Sequence, residues 1–526
     1  MDYGTLLISL LLYLGITVLL SVLAYRHTKT KKDYLLAGGE THPFLMALSY
    51  GSTFVSTSAI IGFGGSAAMF GMSLLWLTFC TIFVGVFVAF VIYGKRTLLV
   101  GKELGASTFP EFIALRYKSE FIKKFCALVI IAGMPLYAAA VMIGSGRFLE
   151  QLLHIDYNLA IIIFGVITAA YVITGGIKGV LYNDAFQATI MFLGMIILFA
   201  VTYSKLGGIT PAHQALTDMA SLVPQSMVDK GHLGWTAMPA LGSEYWWVVV
   251  STLVMGVGIG VLAQPQLVVR FLTVKGPREI NRAVVVGGVF ILVMTGVAFT
   301  VGALSNAYFY QTLGKISIAA VMDATTGKPN IDSIIPLFVS SAMPSWFGYL
   351  FMLTLLSAAM STLSGQFHVI GTSLCNDLYK NSTLSSNRFS ILVALVASIY
   401  LALKLPGSII AVATAIFFGV CAATFLPAYT AALFWPRATK SGVIASMIAG
   451  LASSILLMAF IHAKEATALG LSNILFGKTT LVGMPWVYID PIVISLPLSA
   501  VTLVTVSLLT EKVSAVSLVE KPSITK

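Results

Sequence analysis

Three stretches of this chain place oxygen-bearing side chains inside otherwise apolar sequence, an arrangement able to hold a small hard cation beside an organic molecule. The first reads Leu48-Ser49-Tyr50-Gly51-Ser52-Thr53-Phe54-Val55-Ser56-Thr57-Ser58, followed by Gly62, Gly64 and Gly65. Such a density of Ser and Gly weakens a helix, because hydroxyls compete for backbone groups and glycine costs most to order. Two readings stand: a helix broken open around a cavity, or a close helix-packing face of small residues. The second stretch has Gly256, Gly258 and Gly260, then Ala263-Gln264-Pro265-Gln266 and Arg270-Phe271. No strand flanks its glycines, which excludes a dinucleotide loop, and Pro265 removes one backbone donor and frees a carbonyl. The third, Ala358-Ala359-Met360-Ser361-Thr362-Leu363-Ser364-Gly365-Gln366, sets two hydroxyls side by side, with Ala358 one turn earlier on nearly the face of Ser361. Sodium takes hydroxyls and loosened carbonyls without a costly buried charge. The same hydroxyls can instead bond back to their own helix.

The elements that must position these groups are membrane helices. Of 526 residues 58% are hydrophobic and 10% charged, against about 25% charged in soluble domains. Apolar runs of about 20 residues recur from end to end, each long enough to cross a bilayer as a helix. Continuous runs without strict alternation select helices over a barrel. Thirteen spans are read, at about 5–25, 44–72, 74–94, 125–149, 159–176, 183–204, 245–269, 283–309, 336–374, 389–403, 407–433, 442–462 and 487–509. The ninth is longer than a bilayer needs and is expected to tilt or to extend beyond it. The first lacks a basic leader and is expected to be retained rather than cleaved.

Orientation follows from Lys and Arg. With the N-terminus outside and the C-terminus inside, 23 of the 31 basic residues fall on the inner side, as the positive-inside rule requires. These include Arg26, Lys29, Lys31, Lys32, Lys178, Lys275, Lys380 and the tail from Glu511 to Lys526, which is expected to be disordered. The net charge of +11 is thus scattered over short loops and makes no nucleic-acid face. Two long outer segments, 205–244 and 310–335, are read as caps or gates, or else as inert loops.

Other chemistry finds little support. Cys80, Cys126, Cys375 and Cys421 all lie in apolar segments without a C-x-x-C spacing, so neither a disulfide framework nor a zinc site is expected. His368 has no carboxylate within a turn of its own helix, where an intramembrane enzyme would need clustered ionisable groups. The two interrupted helices, spans two and seven, lie five spans apart. Breaks at corresponding positions of two inverted halves point to a transporter site.

The residues also resemble the sodium:solute symporter family, which includes proline, pantothenate, sugar and monocarboxylate carriers. The likeness covers roughly residues 20–440. It rests on Lys32-Asp33-Tyr34 with Ala37-Gly38-Gly39, Leu48-Ser49 with Gly51, Gly175-Gly176, Asn183-Asp184 with Gln187, Gln264-Pro265 with Arg270-Phe271, Ala359-Met360-Ser361-Thr362-Leu363-Ser364, and Asp377-Leu378-Tyr379. The resemblance implies a thirteen-helix fold with one sodium held by the carbonyls of Ser52, Val55 and Ala358 and the hydroxyls of Ser361 and Thr362. It assigns Asp184 to sodium release, and the other reading of Asp184 is an interfacial carboxylate paired with Lys178. Arg147 also matches a family position, where a snorkelling arginine is expected. Tyr137 matches a substrate-contacting position of proline-type members. Phe54 stands where those members have aspartate and Val257 where they have tryptophan, which turns the expectation away from proline.

The expected function is sodium-coupled import of a small carboxylate (a monocarboxylate, a pantothenate-like acid or an amino acid) by alternating access, without enzymatic activity. A proton-coupled carrier or a solute sensor of the same fold is the alternative. Phe54, Ser56, Tyr137, Val257 and Gln264 are expected to touch the substrate. The expected organisation is a first helix and basic loop (1–43), a first inverted repeat (44–204), an outer loop (205–244), a second inverted repeat (245–433) and two peripheral spans with a tail (434–526). Expected partners are the solute and the lipid of the cell's inner membrane, with no nucleic acid and no obligatory protein.

Overall fold

A computed structural model describes residues 3–153, 155–322, 327, 329–379, 383–405 and 410–510. Lys380, the tail from Glu511 to Lys526 and the start of span eleven lie outside them. Among the described residues the fold is all helical, apart from two isolated bridges, Thr41 to Val274 and Met322 to Pro329.

Among the described residues eleven helices are long and apolar enough to cross a membrane. Thirteen crossings were read because two of these helices are double. One runs over Ser58–Leu104 and the other over Tyr157–Lys205, 47 and 49 residues long. At 1.5 Å per residue each is about twice the thickness of a bilayer. Each turns at a glycine that no other residue could replace. Gly71 has φ 70° and ψ −153°, and a Cβ there would stand 2.0 Å from the Trp235 carbonyl oxygen. Gly176 has φ 55° and ψ −149°, and its Cβ would stand 2.5 Å from the Tyr34 ring.

The elements that position the site are these. Helix α1 (Tyr3–His27) exposes Leu7, Ile8, Leu11 and Leu12, a face suited to lipid. A short helix, α2 (Lys31–Leu36), begins at a capping box in which Thr30 and Asp33 satisfy each other's amides. Helix α3 (Pro43–Phe54) starts on Pro43, capped by His42. It is followed by α4 (Ser58–Leu104), α5 (Glu120–Leu153) and α6 (Tyr157–Lys205). Span seven is divided into α7 (Glu244–Ala263) and α8 (Pro265–Phe271). Then come α9 (Pro277–Leu313), α10 (Ile334–Ala342), α11 (Ser345–Asp377), α12 (Leu384–Lys404), α13 (Ile410–Phe434), α14 (Lys440–Phe460), α15 (Ala463–Leu469) and α16 (Ile492–Leu509).

The long ninth span is corrected: it is two helices, α10 and α11. Met343 is extended, at φ −92° and ψ 153°, because Pro344 follows it and disfavours helical backbone in its neighbour. The segment 205–244 packs against the first half of α4. Trp235, fully buried, donates its indole N–H to the Ala68 carbonyl at 2.9 Å, and His232 meets the Met69 carbonyl at 2.9 Å.

Candidate functional site

Spans two and seven break by the same device, a short stretch of extended backbone between helices. In span two it contains Val55, at φ −87° and ψ 90°, where the Ser/Gly-rich run fails to continue the helix. In span seven it is Gln264, at φ −75° and ψ 113°, extended because Pro265 follows. Both breaks are buried in protein, the setting in which a bilayer tolerates them.

Helix α11 passes alongside the first break. The Ser361 hydroxyl lies 2.9 Å from the Ser52 carbonyl oxygen and 3.2 Å from that of Ala358. The Thr362 hydroxyl lies 2.9 Å from the Thr53 carbonyl oxygen and 3.4 Å from that of Ser52. Ser52, Val55, Ala358, Ser361 and Thr362 are all 0% exposed. Four of these five residues are thus gathered by direct contacts, while Val55 forms the break itself. The set is hard neutral oxygen throughout, which suits sodium and offers nothing to a thiophilic metal. The alternative in which these hydroxyls only cap their own helix is set aside for Thr362, whose hydroxyl reaches across to α3. Thr53 is a participant that sequence reasoning missed, although it lies inside the same hydroxyl run.

Below this cage lies a buried ion pair. The Arg270 Nη2 is 3.0 Å from Asp184 Oδ2, and both side chains are fully buried. Asp184 also accepts from the hydroxyls of Ser49 at 2.5 Å, Thr53 at 3.3 Å and Ser364 at 3.3 Å. Arg270 donates through Nε to the Ser49 hydroxyl at 2.8 Å and through Nη2 to that of Thr53 at 2.5 Å, and reaches the Gln266 carbonyl through Nη1. The Thr53 hydroxyl is also 3.0 Å from the Ser361 carbonyl oxygen. One threonine therefore belongs both to the cage and to the ion pair. Gly365 makes the room, since a Cβ there would lie 3.1 Å from Arg270 Nη2 and from Thr53 Cγ2. Asp184 is not an interfacial partner of Lys178. Lys178 instead meets Asp33 at 3.6 Å and the His27 carbonyl at 3.0 Å.

Phe54, Ser56, Tyr137 and Val257 line one small cavity of about 20 Å³ between the broken helices. Such a space holds about one water, so the walls close on one another here. Gln264 does not line it; its amide turns to the Gly260 carbonyl at 3.3 Å and to Gln266 at 3.2 Å. Sequence reasoning missed the opposite walls, Phe63, Thr81, Thr295, Phe299, Thr414 and Phe418; Phe63 continues span two beyond its break, and the others come from three further crossings with no motif to mark them. Thr81, Thr295 and Thr414 bond back to their own helices. The Ser58 hydroxyl, 1% exposed, has no partner among the described residues and stands available to a ligand. Among the described residues no charged side chain lines this cavity.

The sequence profile described as "Sodium:solute symporter family" matches residues 34–450. The chain belongs to the sodium:solute symporter family. It is 27% identical to the "High-affinity proline transporter PutP" of Bacillus subtilis over 453 residues, 84% of this chain and 89% of that one. It is 26% identical to the "Sodium/pantothenate symporter" of Haemophilus influenzae over 475 residues, 87% of this chain and 91% of that one. Its fold matches a structure described as the substrate-bound outward-open state of a sodium-coupled sialic acid symporter, with a TM-score of 0.73 over 97% of this chain and 99% of the other, at 18% identity. The protein is thus a sodium-coupled symporter of a small organic solute, and sodium is cargo that moves with it.

Two other polar groups of the symporter have local explanations. Arg147 pairs with Glu150 at 2.9 Å and stacks over Tyr157 at 4.0 Å. His368 meets the Tyr34 carbonyl at 3.1 Å and packs beside the Tyr34 ring.

On the face where α1 begins, a cavity of about 490 Å³ opens above α7 and is walled by His462, Lys464, Glu465, Asp332, Glu244 and Lys230 among others. Asp490 ties the peripheral helices to α7, its amide donating to the Ser251 hydroxyl at 3.0 Å. Burial alone would push the His462 imidazole down, but contact with Glu465 and the field of Asp490 outweigh it and hold it above its usual value. Burial pushes the Asp490 carboxyl up to about 6, against the pull of His462. Both groups bind a proton more tightly folded than unfolded, so they stabilise the junction at low pH. The Asp490 contribution is complete below about pH 4 and lost through pH 6. That of His462 is complete below about pH 6.5 and lost above it. Raising the pH on this face from about 5 to 8 should therefore loosen residues 461–490, read as faster amide exchange after correction for intrinsic rates. Asp490→Asn should flatten the lower part of that profile.

Proposed function

We propose that this symporter imports a small carboxylate, foremost a monocarboxylate, by alternating access, with sodium held between α3 and α11. The observation that carries the reading is the uncharged, aromatic and hydroxyl-lined cavity at the helix breaks. An amino acid would bring an ammonium group into a cavity with no carboxylate to receive it. A buried unpaired charge is costly. A monocarboxylate brings an apolar tail for Phe54, Val257, Phe299 and Phe418, and an anionic end that sodium and the exposed amides of a broken helix favour. Pantothenate-like acids share that anionic end. A sugar would need more unpaired polar groups than the Ser58 hydroxyl provides, since the Ser56 oxygen already accepts the Ser58 amide at 3.1 Å.

The proposed orientation sets the N-terminus outside and the C-terminus in the cytoplasm, in the cell's inner membrane. The two inverted repeats, 44–204 and 245–433, then form the core around the breaks, with spans twelve and thirteen peripheral. Sodium entering from outside settles among Ser52, Val55, Ala358, Ser361 and Thr362, and closes α3 onto α11. Solute then binds beside it. When the inner ends of α3 and α8 part, Arg270 moves away from Asp184, and the freed carboxylate draws sodium inward. A monoanion carried with one sodium makes the cycle electroneutral. Only the chemical gradient then drives it, about 1.4 kcal/mol for a tenfold sodium ratio and so about tenfold accumulation.

The test is uptake by purified protein in liposomes from a radiolabelled panel of short monocarboxylates, pantothenate, amino acids and a sugar, with and without an inward sodium gradient. The expected result is sodium-dependent accumulation of a monocarboxylate that is insensitive to membrane potential. Accumulation of an amino acid with net charge movement would overturn the monocarboxylate reading. Uptake driven by a proton gradient with potassium in place of sodium would overturn the ion site.

A further inference from the structure

Helix α14 ends at Phe460 and α16 begins at Ile492, so the chain between them lies where two crossings leave the membrane. Contacts fix the level of its middle. The Leu481 amide donates to the Phe460 carbonyl at 2.9 Å, and the Phe476 ring meets the Phe460 ring edge-on, with centroids 5.9 Å apart. Both residues therefore stand level with the last residue of a membrane helix. What surrounds them is apolar. Leu471, Ile474, Leu475, Phe476, Met484 and Trp486 are all exposed, Ile474 by 77% and Leu475 by 63%. From Leu469 to Trp486 one residue, Lys478, is charged. The short helix Leu471–Phe476 is turned the wrong way for water. Of its six residues Ser472 alone is buried, where a helix beside water would bury its Ile, Leu and Phe and expose its Ser. The patch also continues a surface that faces lipid. Leu456, one turn before Phe460 on the same side of α14, is exposed, and so is Ile455 beside it. A soluble partner would have to cover a patch that begins inside the bilayer, whereas lipid already lies there. The segment follows the last residue of the family match, which spans 34–450.

We propose that residues 469–486 lie in the plane of the bilayer surface, with Ile474, Leu475, Phe476 and Trp486 set into the boundary between headgroups and acyl chains, and that this lipid contact steadies the wall of the vestibule. A segment of this kind sinks its apolar face about 5–10 Å into that boundary. Trp486 joins an apolar ring to a polar N–H, the combination enriched where membrane meets water. Lys478 has a long apolar stem that lets its ammonium reach the phosphates from the same depth. The position gives the anchor a consequence. His462, Lys464 and Glu465 precede the segment, Val487 and Tyr488 follow it, and all five wall the cavity of about 490 Å³. Lipid thus holds the middle of a loop whose two ends shape the vestibule.

The experiment uses the full chain in nanodiscs of phosphatidylcholine that carries bromine either just below the headgroup or near the end of its acyl chains. Bromine quenches tryptophan at contact range, and subtracting the signal of the Trp486→Phe variant isolates Trp486 from the other tryptophans. Trp486 should lose more fluorescence to bromine below the headgroup than to bromine near the chain end, and iodide in the buffer should quench it little. Strong quenching by iodide with none by either lipid would put the residue in water and overturn the proposal. Shielding from both lipids and iodide would show protein over the patch, such as a second copy, and would overturn it as well. Stronger loss to bromine near the chain end would put the residue in the hydrocarbon and overturn the in-plane setting. The consequence is read by amide exchange at one pH. Ile474→Asp with Leu475→Asp should speed exchange over residues 461–468 and 487–490, and Ile474→Leu with Leu475→Ile should leave it as it is. Both positions are exposed, and unaltered exchange in α11 verifies that each variant is folded. Unchanged exchange in the flanks of the aspartate variant would remove the link between lipid and vestibule.

Discussion

Replacing Ser361 and Thr362 together by alanine should abolish the sodium dependence of uptake. Each single change should raise the sodium concentration for half-maximal uptake by about ten- to a hundredfold. The size follows from removing one oxygen from a cation, worth about 1.5–3 kcal/mol for a bond to a charged group. Position adds to it. Both hydroxyls are fully buried, and both lie against carbonyls of α3, so no water stands ready to replace them. Thr362→Ser keeps the oxygen and should keep most of the affinity. Uptake assays across a sodium titration check this, with potassium balancing ionic strength. Unchanged sodium affinity in both single variants would remove the proposed cage.

The second large effect is at Arg270. Arg270→Gln should lower the thermal stability of the purified protein by about 3–5 kcal/mol, because it strands the Asp184 carboxylate in a fully buried place. Asp184→Asn strands the guanidinium and should cost a similar amount. The double variant Arg270→Gln/Asp184→Asn removes both charges and should recover part of the loss. Its stability relative to the sum of the singles measures the coupling of the pair. Thr53 carries the effect to the cage, since its hydroxyl contacts both charged groups and its carbonyl meets Thr362. Arg270→Gln should therefore also weaken sodium dependence, which a stability loss elsewhere would not do. Additive single and double effects would show that the two charges act independently.

How much of this was legible beforehand can be argued from particular residues. The breaks were legible, because the causes are local: the Ser/Gly run at 49–58 and Pro265 weaken helices wherever they stand. The adjacent hydroxyls Ser361 and Thr362 were legible as candidates for the same reason, and their roles came from family likeness. The number of crossings was legible from apolar length. The division at Pro344 was in principle legible too, but the apolar character continued through it and masked the break.

The partner of Asp184 was not legible. Lys178 stands six residues away, whereas Arg270, the true partner, lies 86 residues away on a different broken helix. Nothing local to either residue encodes that meeting. Gln264 failed for a related reason: a residue at a break can turn either to the cavity or to its own helix, and Gly260 supplies the nearer acceptor.

By itself the sequence determined which segments enter the bilayer, where their helices fail and that hard neutral oxygens gather at those failures, because hydropathy and backbone propensity act over a few residues. Only the tertiary structure decided which oxygens face one another, which charge neutralises Asp184 and how little space is left for a solute. Those outcomes depend on side chains from distant helices filling the same volume, and close packing between helices is not written in any one of them.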